Sequence, residues 1–309
     1  MRTRTISGLL MAPLVIFVFL GGYFLIAGAF VLSILAIREY CAAFGDKRPA
    51  AWPLYASLCI LYIGFIALQF PFGYPQFDGG LSIFQHFPVM RVQTFFIILC
   101  ALFISLLLCF ISTLSMEKKD TLSGMASVVG VFYVNFFIFH LVLLGTMFTE
   151  PFNLAGAIGL RPVFMAAGLN SFVWLAIITA FVTDIFAYLS GRLFGKHKLI
   201  PSVSPNKTVE GAVGGLIGSI VICGLFGCFF LPGGLILSLI IGAFGGVFSQ
   251  LGDLFASAMK RRIGIKDWGN VIPGHGGVLD RIDSLLFTAP VVFYILAIRA
   301  AYISMFMGL

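Results

Sequence analysis

The residues best suited to chemistry are concentrated between positions 184 and 283. Two basic loops lie in this region, one at 191–211 and the other at 260–283. Carboxylates are the oxygen ligands that Mg²⁺ prefers, and Lys and Arg side chains bind phosphate. The region therefore predicts metal-assisted chemistry on phosphate groups. It holds six of the twelve acidic residues, namely Asp184, Glu210, Asp253, Asp267, Asp280 and Asp283.

The segment 253–283 has the spacing of a metal site. Asp253, Ser257 and Lys260 follow one another at helical intervals, so an acid, a hydroxyl and an ammonium share one stripe. Asp280 and Asp283 are three residues apart and project from one helical face. With Asp253, these two carboxylates predict a site for a divalent ion, and the oxygen ligands suit Mg²⁺ rather than zinc.

The same segment predicts contacts with phosphate. Glycines flank His275, and such a backbone can approach a ligand closely. The alternative is a cytoplasmic basic loop with internal salt bridges, which explains neither those glycines nor two acids so near a membrane surface. The basic residues expected to bind phosphate are Lys260, Arg261, Arg262, Lys266 and Arg281.

The loop 191–211 has a similar character. Ser204 and Pro205 begin a turn, and Thr208 precedes the next helix. Three lysines add capacity to bind phosphate: Lys196, Lys198 and Lys207.

Asp184 lies inside an apolar run, where a central Asp costs roughly 2.5–3.5 kcal/mol on insertion. Tyr188 and Arg192 follow on the same helix face. Two interpretations stay open, a structural tie between helices through these residues or a carboxylate that faces a polar cavity. The second is favoured, because acids within membranes usually line functional sites.

The elements that position these residues must be membrane helices. Hydrophobic residues make up 60% of the 309 residues, charged residues 10%, and the mean hydropathy is +1.08. This balance excludes a soluble globular domain and a disordered chain. The apolar runs are continuous rather than alternating, which argues against an outer-membrane barrel. The predicted fold class is therefore an all-α, multi-pass helix bundle.

The distribution of Lys and Arg predicts the topology. Read as a hairpin of two short helices, the stretch 8–37 places nearly all basic loops on the side of the N-terminus. The positive-inside rule then favours nine crossings, with the N-terminus in the cytoplasm and the C-terminus outside. The net charge of +7 is assigned to these loops and not to nucleic acid. The other predicted spans are 52–70, 94–115, 127–148, 165–190, 211–231, 234–256 and 285–307.

Two blocks of sequence resemble the phosphatidate cytidylyltransferases, also called CDP-diacylglycerol synthases. The stretch SAMKRRIGIKDWGNVIPGHGGVLDRID, at 257–283, is similar to the family signature, and TDIFAYLSGRLFGKHKLIPSVSPNKTVEG, at 183–211, is similar to a second block. Asn206 stands where the family usually has a first Lys, which would weaken one phosphate contact. Residues 1–165 resemble the family only in hydropathy and in the Arg38-Glu39-Tyr40 turn, so they are expected to form mainly scaffold. The whole chain, 1–309, is expected to be a single domain, with its catalytic part at 183–283.

The resemblance implies transfer of CMP from CTP to phosphatidic acid, which yields CDP-diacylglycerol and pyrophosphate in a bacterial cytoplasmic membrane. It implies catalytic roles for Asp253, Asp280, Lys260 and Lys266, and a homodimer among membrane lipids. Asp253 and Asp280 would hold Mg²⁺, with Asp283 assisting and with K⁺ as a second cation. The substrate-binding residues implied are Ser204, Lys207, Thr208, Ser257, Arg261, His275, Gly276, Gly277 and Arg281.

Two rival functions are kept. A CTP-dependent polyprenol or dolichol kinase would place similar acids near CTP but transfer the γ-phosphoryl group to an alcohol. A transporter would use Asp184 and Asp253 for ions. The label that CTP leaves in lipid distinguishes the three.

Overall fold

A computed structural model describes residues 16–45, 49–69, 92–114, 121–146, 171–231, 234–269 and 276–307. Six of its helices are long and apolar enough to cross a membrane, and two shorter apolar helices lie at Ala51–Ala67 and Ile98–Leu114. The chain is therefore a multi-pass helical membrane protein. The elements are α1 (Gly22–Ala43), α2 (Ala51–Gln69), α3 (Val92–Leu114), α4 (Thr121–Gly130), a π-helical segment (Val131–Phe136), α5 (Phe137–Thr146), α6 (Ser171–Phe194), β1 (Lys198–Ile200), β2 (Ser204–Thr208), α7 (Val209–Phe230), α8 (Leu235–Ile263) and α9 (Leu279–Met307).

The chain reverses direction at a pair of glycines near its start. Residues 16–20 are helical, and Gly21 and Gly22 have φ angles of 61° and 49°, which side chains disfavour. A Cβ atom on Gly28 would lie 2.7 Å from Cβ of Phe17, so the two arms lie side by side. This reversal is what the two-helix interpretation of 8–37 requires. The count of nine crossings and the side of the N-terminus stay predictions.

Two helices extend beyond the predicted membrane spans, and both extensions lie beside the chemistry. Helix α8 continues past 256 to Ile263, and α9 begins at Leu279 rather than at 285. Hydropathy stops at the first charged residues, whereas a helix can carry them once it leaves the apolar layer. Gly264, with φ of 83°, ends α8 in the left-handed conformation common at helix C-termini. The carboxylates of Asp280 and Asp283 therefore sit in the first turns of a helix.

The predicted loop 191–211 contains a small antiparallel hairpin. Strand β1 pairs with β2, with Lys198 opposite Thr208 and Ile200 opposite Ser204. The Thr208 hydroxyl accepts a hydrogen bond from the Gly211 amide at 3.1 Å and caps α7. Within the described residues this hairpin is an addition to an otherwise helical bundle, and it leads directly from the end of α6 into α7.

Helices α6, α7, α8 and α9 form the part of the bundle that carries the site. One face of α7 consists of small residues that pack against α6. A Cβ atom on Gly215 would lie 2.8 Å from the Thr183 carbonyl oxygen and 2.9 Å from Ala187 Cβ. The opposite face exposes Val213, Ile217 and Val221, as expected for a lipid-facing stripe. Close packing of this kind holds the ends of α6 and α7 together.

Candidate active site

A cavity of about 640 Å³ lies where α6, β2, α7, α8 and α9 meet. Both sequence blocks line it, because α6 and β2 come from the block at 183–211 and α8 and α9 reach the block at 257–283. Four carboxylates and four cationic side chains from those elements share its walls: Asp184, Asp253, Asp280, Asp283, Arg192, Lys207, Lys260 and Arg281.

Lys207 joins the hairpin to α8. Its Nζ lies 2.6 Å from Oδ2 of Asp253, and both side chains are partly exposed. The Ser257 hydroxyl donates a hydrogen bond to the other Asp253 oxygen at 3.3 Å, which confirms that these two residues share one stripe of α8. Because both side chains are partly exposed, an incoming anion can replace Asp253 as the partner of Lys207.

Lys260 joins α8 to α9. Its Nζ donates to Oδ1 of Asp280 at 2.6 Å, and both side chains are nearly buried. The other Asp280 oxygen accepts the amides of Trp268, at 2.8 Å, and Gly277, at 3.0 Å. Three donors from separate residues fix the direction of this carboxylate.

Ser284 connects the two remaining carboxylates. Its hydroxyl lies 3.0 Å and 3.2 Å from the two oxygens of Asp184, and its amide donates to Asp283 at 2.8 Å. Asp184 therefore lines a polar cavity, as the favoured interpretation expects. Its hydrogen bond to Ser284 also ties α6 to α9, whereas the Arg192 guanidinium contacts the Tyr188 hydroxyl at 3.4 Å.

The other predicted site residues fall into three groups. Thr208 lines the cavity, but its hydroxyl serves as the α7 cap. His275 lies outside the described residues. Residues that the structure describes but does not place in the cavity wall are Ser204, Ser257, Arg261, Lys266, Gly276 and Gly277. Of these, Ser257 and Gly277 support the acids directly.

Sequence reasoning missed Gln250. It lines the cavity and donates to the Ala212 carbonyl at 3.1 Å, which links α8 to α7. The signal was available, because Gln250 is an amide in an apolar run one helical turn before Asp253. Asn206 and Asp267 also line the cavity, although no role was assigned to Asp267.

The carboxylates of the cavity suit a hard divalent ion only if a bound substrate supplies further oxygen ligands. Within the described part of the chain, no three His, Cys, Asp or Glu side chains lie close enough together to hold a metal. Mg²⁺ is usually bound through one or two carboxylates plus substrate phosphates, and the cavity has acids of that kind. The residue types therefore fit Mg²⁺ that is bound jointly by carboxylates and phosphate groups.

Comparison with known proteins places the chain in a family. A model described as "Cytidylyltransferase family" matches residues 2–299, and the chain belongs to that family.

Three relatives show where the similarity is strong. Phosphatidate cytidylyltransferase of Bacillus subtilis (strain 168) is 46% identical over 129 residues, which are 41% of this chain and 48% of the relative. The protein of the same name from Staphylococcus saprophyticus is 48% identical over 124 residues, 39% and 47% of the two chains. Uncharacterized protein YnbB of Escherichia coli (strain K12) is 48% identical over 111 residues, 36% and 37%. The matches thus span about half the length of the two cytidylyltransferases.

Proposed function

We propose that this protein transfers CMP from CTP to phosphatidic acid, giving CDP-diacylglycerol and pyrophosphate. The observation that carries the proposal is the cavity in which both sequence blocks meet, with Lys207 against Asp253 and Lys260 against Asp280. Family membership and the two relatives named phosphatidate cytidylyltransferase support it.

The cationic side chains account for binding of the triphosphate. Phosphate oxygens compete with Asp253 for Lys207 and form ion pairs with Arg281. Charge-assisted hydrogen bonds of this kind are strong. The buried pair of Lys260 and Asp280 fixes the position of the neighbouring Arg281. The site therefore orients the polyphosphate chain as well as attracting it.

The reaction needs little proton transfer. An anionic oxygen of the phosphatidate monoester attacks the α-phosphorus of CTP, a new P–O–P bond forms, and the bond to the β-phosphate breaks. The bonding electrons leave with pyrophosphate, which the basic side chains stabilise. Catalysis of such a transfer rests on positioning and on charge neutralisation.

Asp253 and Asp280 would hold Mg²⁺, with Asp283 beside them, and K⁺ is proposed as a second cation. Bound Mg²⁺ would neutralise charge on the phosphates. The chain's own contribution is to fix Asp280 through three donors and to keep Asp253 within reach of the triphosphate.

The surroundings suit a soluble and a lipid substrate together. The cavity lies near the charged ends of α8 and α6, where CTP would enter from the cytoplasm and phosphatidic acid from the lipid layer. We place the protein in a bacterial cytoplasmic membrane and propose that two copies form a homodimer.

The test uses purified full-length protein in micelles that contain phosphatidic acid and Mg²⁺. With [α-³²P]CTP, label should enter the organic phase as CDP-diacylglycerol, with release of one pyrophosphate per lipid. With [γ-³²P]CTP, label should stay in the aqueous phase. Lipid labelled from the γ-position on an added polyprenol would instead establish the kinase, and absence of turnover with ion flux in vesicles would establish the transporter.

A further inference from the structure

A buried acid from the N-terminal part of the chain contacts the start of α9. Oε1 of Glu39 accepts the Val278 amide at 2.8 Å, and Oε2 accepts the Leu279 amide at 2.9 Å. The side chain is 3% exposed. The first amides of a helix have no partner within it, and a carboxylate there is favoured by the helix dipole. Glu39 therefore caps α9 from a position 239 residues earlier in the chain.

The Glu39 carboxyl group packs closely against two glycines. A Cβ atom on Gly277 would lie 2.6 Å from Oε2, and one on Gly269 would lie 3.1 Å from Cγ. These glycines belong to the two segments whose amides bind Asp280, since Trp268 precedes Gly269. The Glu39 side chain thus lies between the segments that hold the Asp280 carboxylate.

The next residue strengthens the same connection. The Tyr40 ring lies 5.7 Å from the Trp268 ring, centroid to centroid, and its hydroxyl donates to the Ala126 carbonyl at 2.8 Å. Trp268 is buried, and its amide is one of the donors to Asp280. Helix α1 therefore contacts both sides of the Asp280 environment, through Glu39 at the start of α9 and through Tyr40 at Trp268.

We infer that Glu39 is a positioning residue of the active site: it caps α9 and thereby holds Asp280 and its partner Lys260 in the cavity. The expected effect on KM rests on the proposed function. The contact of Glu39 with the Val278 and Leu279 amides does not depend on any activity. Residues 1–165 would then not be scaffold alone, because one of their side chains determines the geometry of a catalytic acid.

The contact is tested first without substrate. Hydrogen–deuterium exchange of the full-length protein in micelles follows the amides of 276–283 in wild type, in Glu39→Gln and in the control Ser33→Ala. Ser33 lies on the same helix, is also buried, and its hydroxyl donates to the Ala29 carbonyl within that helix. Exchange at Val278 and Leu279 should rise by about tenfold or more in Glu39→Gln, and should match wild type in Ser33→Ala. Unchanged exchange in Glu39→Gln would overturn the inference.

The consequence is tested by steady-state kinetics on the same samples. Loss of a supporting hydrogen-bond partner typically lowers activity by about 10–100-fold. The loss in Glu39→Gln should include a rise in KM for CTP of about tenfold. A merely structural role would reduce the amount of active protein, lowering the apparent kcat at unchanged KM, and that result would contradict the inference.

A second variant guards against misfolding of the first. Gly277→Ala leaves Glu39 in place but pushes its carboxylate away, so it should raise KM for CTP in the same direction. An unchanged KM would count against the inference. If wild type itself forms no CDP-diacylglycerol, the proposed function fails, and the exchange experiment still decides the contact.

Discussion

At the scale of residues, the cavity pairs two of its acids with lysines that differ in accessibility. Lys207 holds the accessible Asp253, and Lys260 holds the nearly buried Asp280. Breaking a buried pair by removing one charge is costly, whereas an exposed pair contributes little. The two pairs therefore have different roles, with Lys207 available to substrate and Lys260 fixing an acid.

Asp280→Asn should reduce transfer from CTP by about 10²–10³-fold, the usual loss when one preorganised electrostatic group is removed. The amide keeps an oxygen for the Trp268 or Gly277 amide, but Lys260 loses its buried partner, so the variant should fold with lower stability than wild type. Radiolabelled product is measured alongside the elution profile in detergent. Asp78→Asn, an acid outside both sequence blocks, is the control and should be silent. Near-normal turnover in Asp280→Asn would remove this carboxylate from the mechanism.

Asn206→Lys restores the residue that the resembled family usually carries. Asn206 lines the cavity beside Lys207, so a new ammonium there adds attraction for phosphate. A partly exposed charge contributes up to about 1 kcal/mol, and KM for CTP should fall by about 2–5-fold. Ser202→Lys adds the same charge at the exposed turn of the hairpin, away from the cavity wall, and should leave KM unchanged. Equal effects of the two variants would mean that only net charge matters.

At the scale of elements, the site depends on how closely α6 and α7 approach. Gly215→Ala places a methyl group against the Thr183 carbonyl and the Ala187 side chain. Overpacking of this kind destabilises by about 1–3 kcal/mol. We expect a lower melting temperature in a thiol-reactive dye assay, together with lost activity, because Asp184 and Lys207 move apart. Val213→Ala, on the exposed side of α7, should keep both; a fully active, equally stable Gly215→Ala would refute the packing argument.

The elements also show what sequence can predict here. Apolar runs located α2, α3 and α7 to within a few residues, and spacing placed Asp253 with Ser257 and Asp280 with Asp283. Hydropathy could not locate the ends of α8 and α9, since charged residues continue those helices. The β1–β2 hairpin was also missed, because its strands of three and five residues are too short for a periodic pattern. The contact of Glu39 with the start of α9 joins positions 239 residues apart, and no local pattern contains that information.

At the scale of the whole molecule, topology determines which substrates reach the cavity. The positive-inside rule predicts nine crossings with the C-terminus outside. Alkaline phosphatase fused after Leu309 should therefore be active, and a green fluorescent protein fused there should be dark. A fusion of each reporter at the loop 191–211 should give the reverse pattern. A bright C-terminal fluorescent fusion would contradict the predicted count, and CTP access would then have to be reconsidered.

The central claim is that two separate blocks of sequence build one site for CTP. Its most direct test is the affinity of purified protein for CTP in Lys207→Gln, from the first block, and Arg281→Gln, from the second. The control is Lys198→Gln on the same hairpin, because Lys198, although predicted to bind phosphate, is not part of the cavity wall. Loss of a charged contact costs about 1.5–3 kcal/mol, so both variants should bind CTP roughly 10-fold or more weakly, and the control should match wild type. Wild-type affinity in either cavity variant would contradict the account.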